Sequence, residues 1–284
     1  MLRDLVPPLI WRMVKKLYLA LFPSQKRYFF EWQYLPEGWR AARNDPSLKG
    51  WDVESVLEAY KANWPTFVKN LESTSPLGIS LESNLKQHTN IIHHNIVMTY
   101  GYVLAYCVRY KSRISMLDWG GGIGHYYLLS QALLPDLTIE YHCKDFARFI
   151  EYGKQLFPEA YFYSDRTCLT RKYDFVLASS SLQYSQDCMA VLQDLAQATS
   201  GYLFITRLPL VQHVPSYVIA QRPYQYGYNT EYLGWCLNHD EFLHIARKSQ
   251  LQLIREFIIE ESYPIDQAPE QPKYFGFLFS KRLV

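Results

Sequence analysis

The stretch ISMLDWGGGIGHYY, Ile114 to Tyr127, decides the fold. A short apolar run ends in an acid, a cluster of glycines follows, and an apolar helix begins: strand, tight turn, helix. Asp118, Gly120, Gly122 and Gly124 form D-x-G-x-G-x-G. Glycines there let the backbone turn sharply and let a ligand approach closer than a Cβ permits, at the carboxyl end of a strand where doubly wound folds bind ligands. The dinucleotide fingerprint G-x-G-x-x-G fails, because from Gly120 its last glycine falls on His125, and there is no Walker lysine.

Outward from this turn, short apolar runs alternate with amphipathic stretches, the pattern of an α/β fold with a largely parallel sheet covered by helices. Strands are expected at Ile114–Asp118, Thr138–Cys143, Ala160–Tyr163, Phe175–Ser179, Tyr202–Thr206, Leu251–Ile259 and Tyr274–Ser280. Helical period appears at Phe146, Phe149, Ile150, Gly153, Leu156 and Phe157, at Val191, Leu192, Leu195 and Ala196, and after the capping pair Asn238 and Glu241.

Residues 1–110 read as a mainly helical cap. Ile10, Met13, Val14, Leu17, Tyr18 and Leu21 trace an amphipathic stripe with Arg12, Lys15 and Lys16 opposite, a surface for the protein's own core, a second copy or anionic lipid. Val53, Val56, Leu57, Tyr60 and Trp64 start a second helix that Pro65 is expected to break or kink, and a third runs from about His88 to Tyr110. Residues 111–284 form the sheet domain. Its stretch near 210–237 has no clear period but many tyrosines, which fits an aromatic lid.

The charge balance, 29 basic against 27 acidic residues for a net +2, is too weak to argue for nucleic acid. Five cysteines without a CxxC suggest neither a disulfide framework nor a zinc site and fit a reducing cytoplasm. No apolar run reaches the roughly 18 to 20 residues a spanning helix needs.

The glycine turn resembles the first motif of the class I S-adenosyl-L-methionine-dependent methyltransferases. Three further strand ends agree: Asp145 closes YHCKD, Asp165 closes YFYSD, and YDFVLASSSLQYS ends in a loop. Together with SLQY, TRLP and an upstream YLPEGW and GWD, the chain from about Tyr34 onward looks like putative methyltransferases encoded among surface-polysaccharide genes. The resemblance implies a Rossmann-like, seven-stranded sheet. It also implies that Asp118, Gly120, Gly121, Gly122, Gly124 and Ser181 hold the cofactor, that Asp145 meets its ribose and that Asp165 meets its adenine. Gln183, Tyr184, Arg207, Tyr224 and Tyr228 are expected at the acceptor. Lys144 beside Asp145 departs from the pattern.

The activity so implied is methyl transfer to a small-molecule acceptor, most plausibly to a hydroxyl of a sugar or related metabolite. For a hydroxyl, a base within hydrogen-bond reach of the proton helps, and histidine suits neutral pH. His213, after the fifth strand in RLPLVQHVPSY, is the expected base. His125 reads as structural, and His93 and His94 lie on the helix entering the core, where adjacent residues face different directions and disfavour a metal. Other readings stay open: a glycine turn and helix caps without a ligand, a catalyst that retains the cofactor without spending its methyl, or a non-catalytic interaction module.

Overall fold

In the computed structural model of the chain, residues 31–40, 45–78, 80–81 and 90–281 are described. The amphipathic stripe at Ile10 to Leu21 lies outside them. Among the described residues no helix is long and apolar enough to cross a membrane.

The central strand, β2 (Arg113–Trp119), is buried along most of its length because it is paired on both edges and covered on both faces. Its register with β3 (Thr138–Lys144) sets Asp118 opposite Cys143, and its register with β5 (Tyr173–Ser179) sets Asp118 opposite Leu177, both parallel. β4 (Tyr161–Tyr163) extends the sheet beyond β3, and β6 (Thr199–Val211) extends it beyond β5. The strand order thus reverses between β2 and β5, which opens a crevice at their carboxyl ends. β10 (Lys273–Lys281) runs antiparallel between β6 and β9 (Leu251–Ile259).

The faces of the sheet follow the period of two. Met116, Phe175 and Leu177 pack with Tyr100, Val103 and Leu104 of α2 (Ile91–Val108) and with Leu129 of α3 (His125–Leu133). Leu117, Val176 and Ala178 pack instead with Leu192 and Leu195 of α5 (Cys188–Ala198) and Phe242 of α6 (His239–Lys248). Each large side chain so buried contributes roughly 1.5–3 kcal/mol. α1 (Glu54–Glu72) lays Val56, Leu57, Tyr60 and Phe67 against Ile123 and against Phe149 of α4 (Ala147–Leu156).

Three expectations need correction. Pro65 does not end α1, which continues to Glu72: Phe67 and Leu71 carry the apolar stripe past it, and their burial outweighs the lost backbone bond. Among the described residues the sheet holds ten strands, three more than the seven expected. And the aromatic stretch near 210–237 is not aperiodic: it holds a hairpin of β7 (Tyr217–Gln221) and β8 (Tyr232–Asn238), joined on its outer edge by β1 (Trp32–Leu35). YVIAQ and YLGWC are buried on both sides, so they show no alternation that the sequence could reveal.

The hairpin is attached through β6. Up to Thr206 that strand pairs with β5; Arg207 then takes a left-handed backbone (φ 58°), and Leu210 and Val211 pair with β8 instead. β10 follows the turn with a register shift between Phe275 and Phe277. The far end of the hairpin is held by a buried ion pair. Arg222 Nε donates to Glu231 Oε2 at 3.0 Å, Arg222 Nη2 donates to Gln33 Oε1 at 3.0 Å, and the Tyr224 hydroxyl donates to Glu231 Oε1 at 2.8 Å. Removing one partner strands the other charge in the interior, a loss of about 3–5 kcal/mol. Glu231→Ala should therefore lower unfolding stability by that amount in denaturant titration; a loss under about 1 kcal/mol would show that the pair does not hold the hairpin.

Candidate functional site

The turn after β2 is built as a cradle. Gly120, Gly122 and Gly124 all have left-handed φ, at 74°, 60° and 89°. A Cβ on Gly120 would stand 2.4 Å from the Cβ of Ser181, and one on Gly121 would stand 2.5 Å from the Asp118 carboxyl. Only glycine lets the loop lie this close to the post-β5 turn on one side and to Asp118 on the other. Above the loop lies a cavity of about 240 Å³ lined by Gly120, Gly122, Trp119, Asp145, Phe146 and Ser181, and closed by Trp39, Trp51 and Tyr60 from the N-terminal region.

Asp145 faces this cavity from the end of β3. Its Oδ2 accepts from the Gly122 amide and its Oδ1 from the Phe146 amide, both at 2.7 Å. Burial raises its pKa, and those two amides pull it back down. Lys144 does not pair with it but lies over the Trp119 ring, 4.9 Å from the centroid. Each carboxylate oxygen keeps lone-pair capacity for a ligand hydroxyl.

Asp118 sits beneath the loop rather than in the cavity. It is 1% exposed, and its Oδ2 accepts from the Tyr141 hydroxyl at 2.5 Å. Burial pushes its carboxyl up to about 7, against the lowering by the Tyr141 bond and with a further rise from the charge of Asp145. The carboxyl shapes the loop from below, and its Oδ1 is buried with no hydrogen-bond partner among the described residues.

A second cavity, of about 390 Å³, adjoins the first. Its walls are aromatic: Trp32 stacks on Tyr263 at 4.6 Å, Trp51 stacks on Tyr232 at 4.2 Å, and Tyr226, Tyr228 and Tyr274 complete the lining. Its polar groups are Asn90 and His93 from the start of α2, Gln221 from β7, Glu31, Ser262, and the pair Arg207 and Glu261. Arg207 meets Glu261 through Nε at 2.9 Å and Nη2 at 2.7 Å. Trp51, Ser180, Tyr184, Arg207 and Tyr232 line both cavities and mark where they join. Ser180, like Arg207, has a left-handed backbone (φ 48°), so two strained residues, one just past β5 and one within β6, meet at this junction.

The structure brings together Gly120, Gly122, Asp145 and Ser181 at the first cavity, Tyr228 at the second, and Tyr184 and Arg207 at both. Ser181 also donates to the Trp119 carbonyl at 2.7 Å, which ties the post-β5 turn to the glycine loop. Gly121 and Gly124 shape the loop from behind, Gly124 against Phe162. Four expected residues lie elsewhere. Asp165 is exposed and folds back on Thr167, accepting from its amide and hydroxyl. Gln183 is buried behind the wall, donating to the Arg207 carbonyl at 3.4 Å. Tyr224 turns to Glu231. His213 is exposed in the β6–β7 connection, where its amide donates to Glu270, and it lines neither cavity.

Sequence reading placed Tyr232 only among the tyrosines of the expected lid and missed Trp51 and Glu261. Trp51 stands in the GWD that carried part of the family likeness, whereas Glu261 follows β9 with no local signal, and only the fold brings it to Arg207.

No protein-family model and no curated protein sequence matches the chain. Similar solved structures include magnesium protoporphyrin IX methyltransferase from Synechocystis PCC 6803 with bound S-adenosylhomocysteine, at 11% identity over 81% of this chain and 100% of that one, TM-score 0.48. Another is an S-adenosylmethionine-dependent methyltransferase from Methanosarcina mazei, at 14% identity over 61% of this chain and 95% of that one, TM-score 0.47. A third is an O-methyltransferase family protein from Burkholderia thailandensis, at 17% identity over 80% of this chain and 71% of that one, TM-score 0.46. The Synechocystis enzyme has also been solved with S-adenosylmethionine bound.

The environment of Asp118 has a consequence for stability. Its carboxyl rises from an ordinary 3.8 to about 7 in the folded chain, so between those values the folded state holds a proton that the unfolded state has released. Stability from this group therefore falls as pH rises through that window. Asp118→Asn, which keeps the shape and the Tyr141 bond, should lose less stability between pH ~5 and ~8 than the parent in denaturant unfolding; equal losses would contradict the assignment.

Proposed function

We propose that the chain is an S-adenosyl-L-methionine-dependent methyltransferase acting on a hydroxyl of a small acceptor, a sugar or related metabolite. The observation that carries this reading is the junction: a glycine-cradled cavity at the reversal of strand order opens directly into an aromatic-walled cavity across five shared residues.

The residues fit the cofactor. The glycine loop leaves room that a Cβ would fill, Asp145 offers carboxylate oxygens at the place for ribose hydroxyls, and Phe146 presents a half-exposed ring to the cavity. The indole nitrogens of Trp39 and Trp51 are buried without a hydrogen-bond partner among the described residues, and both side chains line the cavity. Buried donors of this kind are satisfied by a ligand oxygen. When bound, the cofactor supplies a methyl group already activated on a positively charged sulfur.

The protein then has to hold the acceptor in line and remove its proton. The second cavity does the first with stacked ring pairs, Trp32 on Tyr263 and Trp51 on Tyr232, which suit the apolar face of a sugar, and with polar side chains that bind hydroxyls. For the second, His93 replaces His213 as the base: it lines the acceptor cavity, half-buried at the start of α2, beside Asn90. In this reading the described part of the region up to about residue 110 is a cap, giving Trp39 and Tyr60 to one cavity, His93 to the other and Trp51 to both.

The test is formation of S-adenosylhomocysteine when purified protein and S-adenosylmethionine are given a panel of glycosides and nucleotide sugars. His93→Ala should slow turnover roughly 10²–10⁴-fold, while His213→Ala should stay within about twofold of the parent. Equal loss in both variants would remove the base assignment. Retained cofactor with no methyl transfer to any acceptor would favour a catalyst that binds the sulfonium without spending its methyl.

A further inference from the structure

Three aromatic rings meet where the two cavities join. Trp51 stacks on Tyr232 with centroids 4.2 Å apart, Tyr184 meets Trp51 edge-on at 5.2 Å, and Tyr184 meets Tyr232 edge-on at 5.3 Å. All three line both cavities. We propose that Trp51, Tyr184 and Tyr232, packed against one another, border the positively charged sulfur of the methyl donor with the ring surfaces they turn to the opening and recognise its charge, which favours the charged donor over its neutral thioether product. This rests on the methyltransferase reading and adds to it a set of binding residues that sets donor against product.

The argument is electrostatic. A donor in the glycine-loop cavity that serves an acceptor in the other must present its sulfur at the shared opening. The groups there besides the rings are Ser180, which is neutral, and Arg207, whose charge is met by two contacts to Glu261 at 2.9 and 2.7 Å. With that pair balanced, the ring faces are the remaining source of attraction for a cation. A cation within about 6 Å of a ring centroid is attracted by the ring quadrupole, more strongly where water is excluded. A sulfur that has given up its methyl carries no charge and loses this attraction, so the ring surfaces favour release of product.

The rings are fixed in place by backbone and side-chain hydrogen bonds to the hairpin. The Gly50 amide donates to the Glu231 carbonyl at 3.0 Å and the Gly50 carbonyl accepts from the Thr230 hydroxyl at 2.7 Å, which ties the residue before Trp51 to the hairpin on both sides of its peptide plane. The Tyr184 hydroxyl donates to Gln221 Oε1 at 3.1 Å. Gly234 in β8 leaves room for the Tyr184 ring, since a Cβ there would lie 3.3 Å from it. Glycine inside a strand often marks such a close approach.

Calorimetric titration of the full chain with S-adenosylmethionine and with S-adenosylhomocysteine gives an affinity ratio for each variant. Trp51→Leu and Tyr184→Leu should each lower the preference for S-adenosylmethionine by about tenfold relative to the parent while changing S-adenosylhomocysteine binding little. Trp51→Phe and Tyr184→Phe, which keep a ring, should hold the parent ratio. If the parent binds both ligands and the ratio is unchanged in both leucine variants, or both affinities fall together, the charge-recognition proposal is overturned and the methyltransferase reading stands. If the parent binds neither ligand, both are overturned.

Discussion

The arrangement depends on one strand that changes partner within the sheet. β6 begins as a parallel neighbour of β5 and ends as a parallel neighbour of β8, and the change of partner occurs at Arg207. A non-glycine residue in the left-handed region costs of order 1–3 kcal/mol. Contacts on both sides sustain it: β10 pairs with β6 before and after the turn, and Glu261 grips the guanidinium in a buried pair, with side-chain exposures of 12% for Arg207 and 3% for Glu261. Past Arg207 β6 leaves β5 for β8, and Arg207 itself stands in the wall of both cavities.

The hairpin in turn positions the N-terminal region. Glu231 is tied to Arg222 by its carboxylate and to Gly50 by its carbonyl, so an ion pair in the hairpin and the placement of Trp51 are consecutive links of one chain of contacts. α1 then closes the first cavity through Tyr60, whose ring lies 3.1 Å from where a Cβ on Gly122 would be. Each element that encloses the junction is thus held by another, and the aromatic rings at the centre are set by backbone anchors rather than by their own packing alone. That kind of rigidity is what a site needs to hold two reactants within reacting distance.

What the sequence revealed is what local physics encodes. The glycine turn is legible because left-handed φ and close approach leave no alternative residue at Gly120 and Gly122, and the expected strands of the parallel core appear because apolar runs and helical period alternate around them. The capping Asn238 was equally plain, and its side chain accepts from the amides of Asp240 and Glu241. What stayed hidden is set by long-range contacts. β7 and β8 are uniformly buried and lack a period; Glu261 reaches Arg207 across 54 residues of chain; and His213 satisfies the positional rule for a base while the bend at Arg207 carries its loop out to solvent. The place of Asp118 at the end of its strand is legible but its buried bond to Tyr141 is not, because nothing local shows that Tyr141 would be its partner.

The central claim is that the two cavities are one site, divided at the junction of Trp51, Tyr184 and Tyr232. It is tested most directly by a crystal structure of the protein grown with S-adenosylhomocysteine. The account predicts the ribose at Asp145 and the sulfur at the shared opening among the three rings. A ligand bound anywhere else, or an empty glycine-loop cavity at saturating ligand, would contradict it.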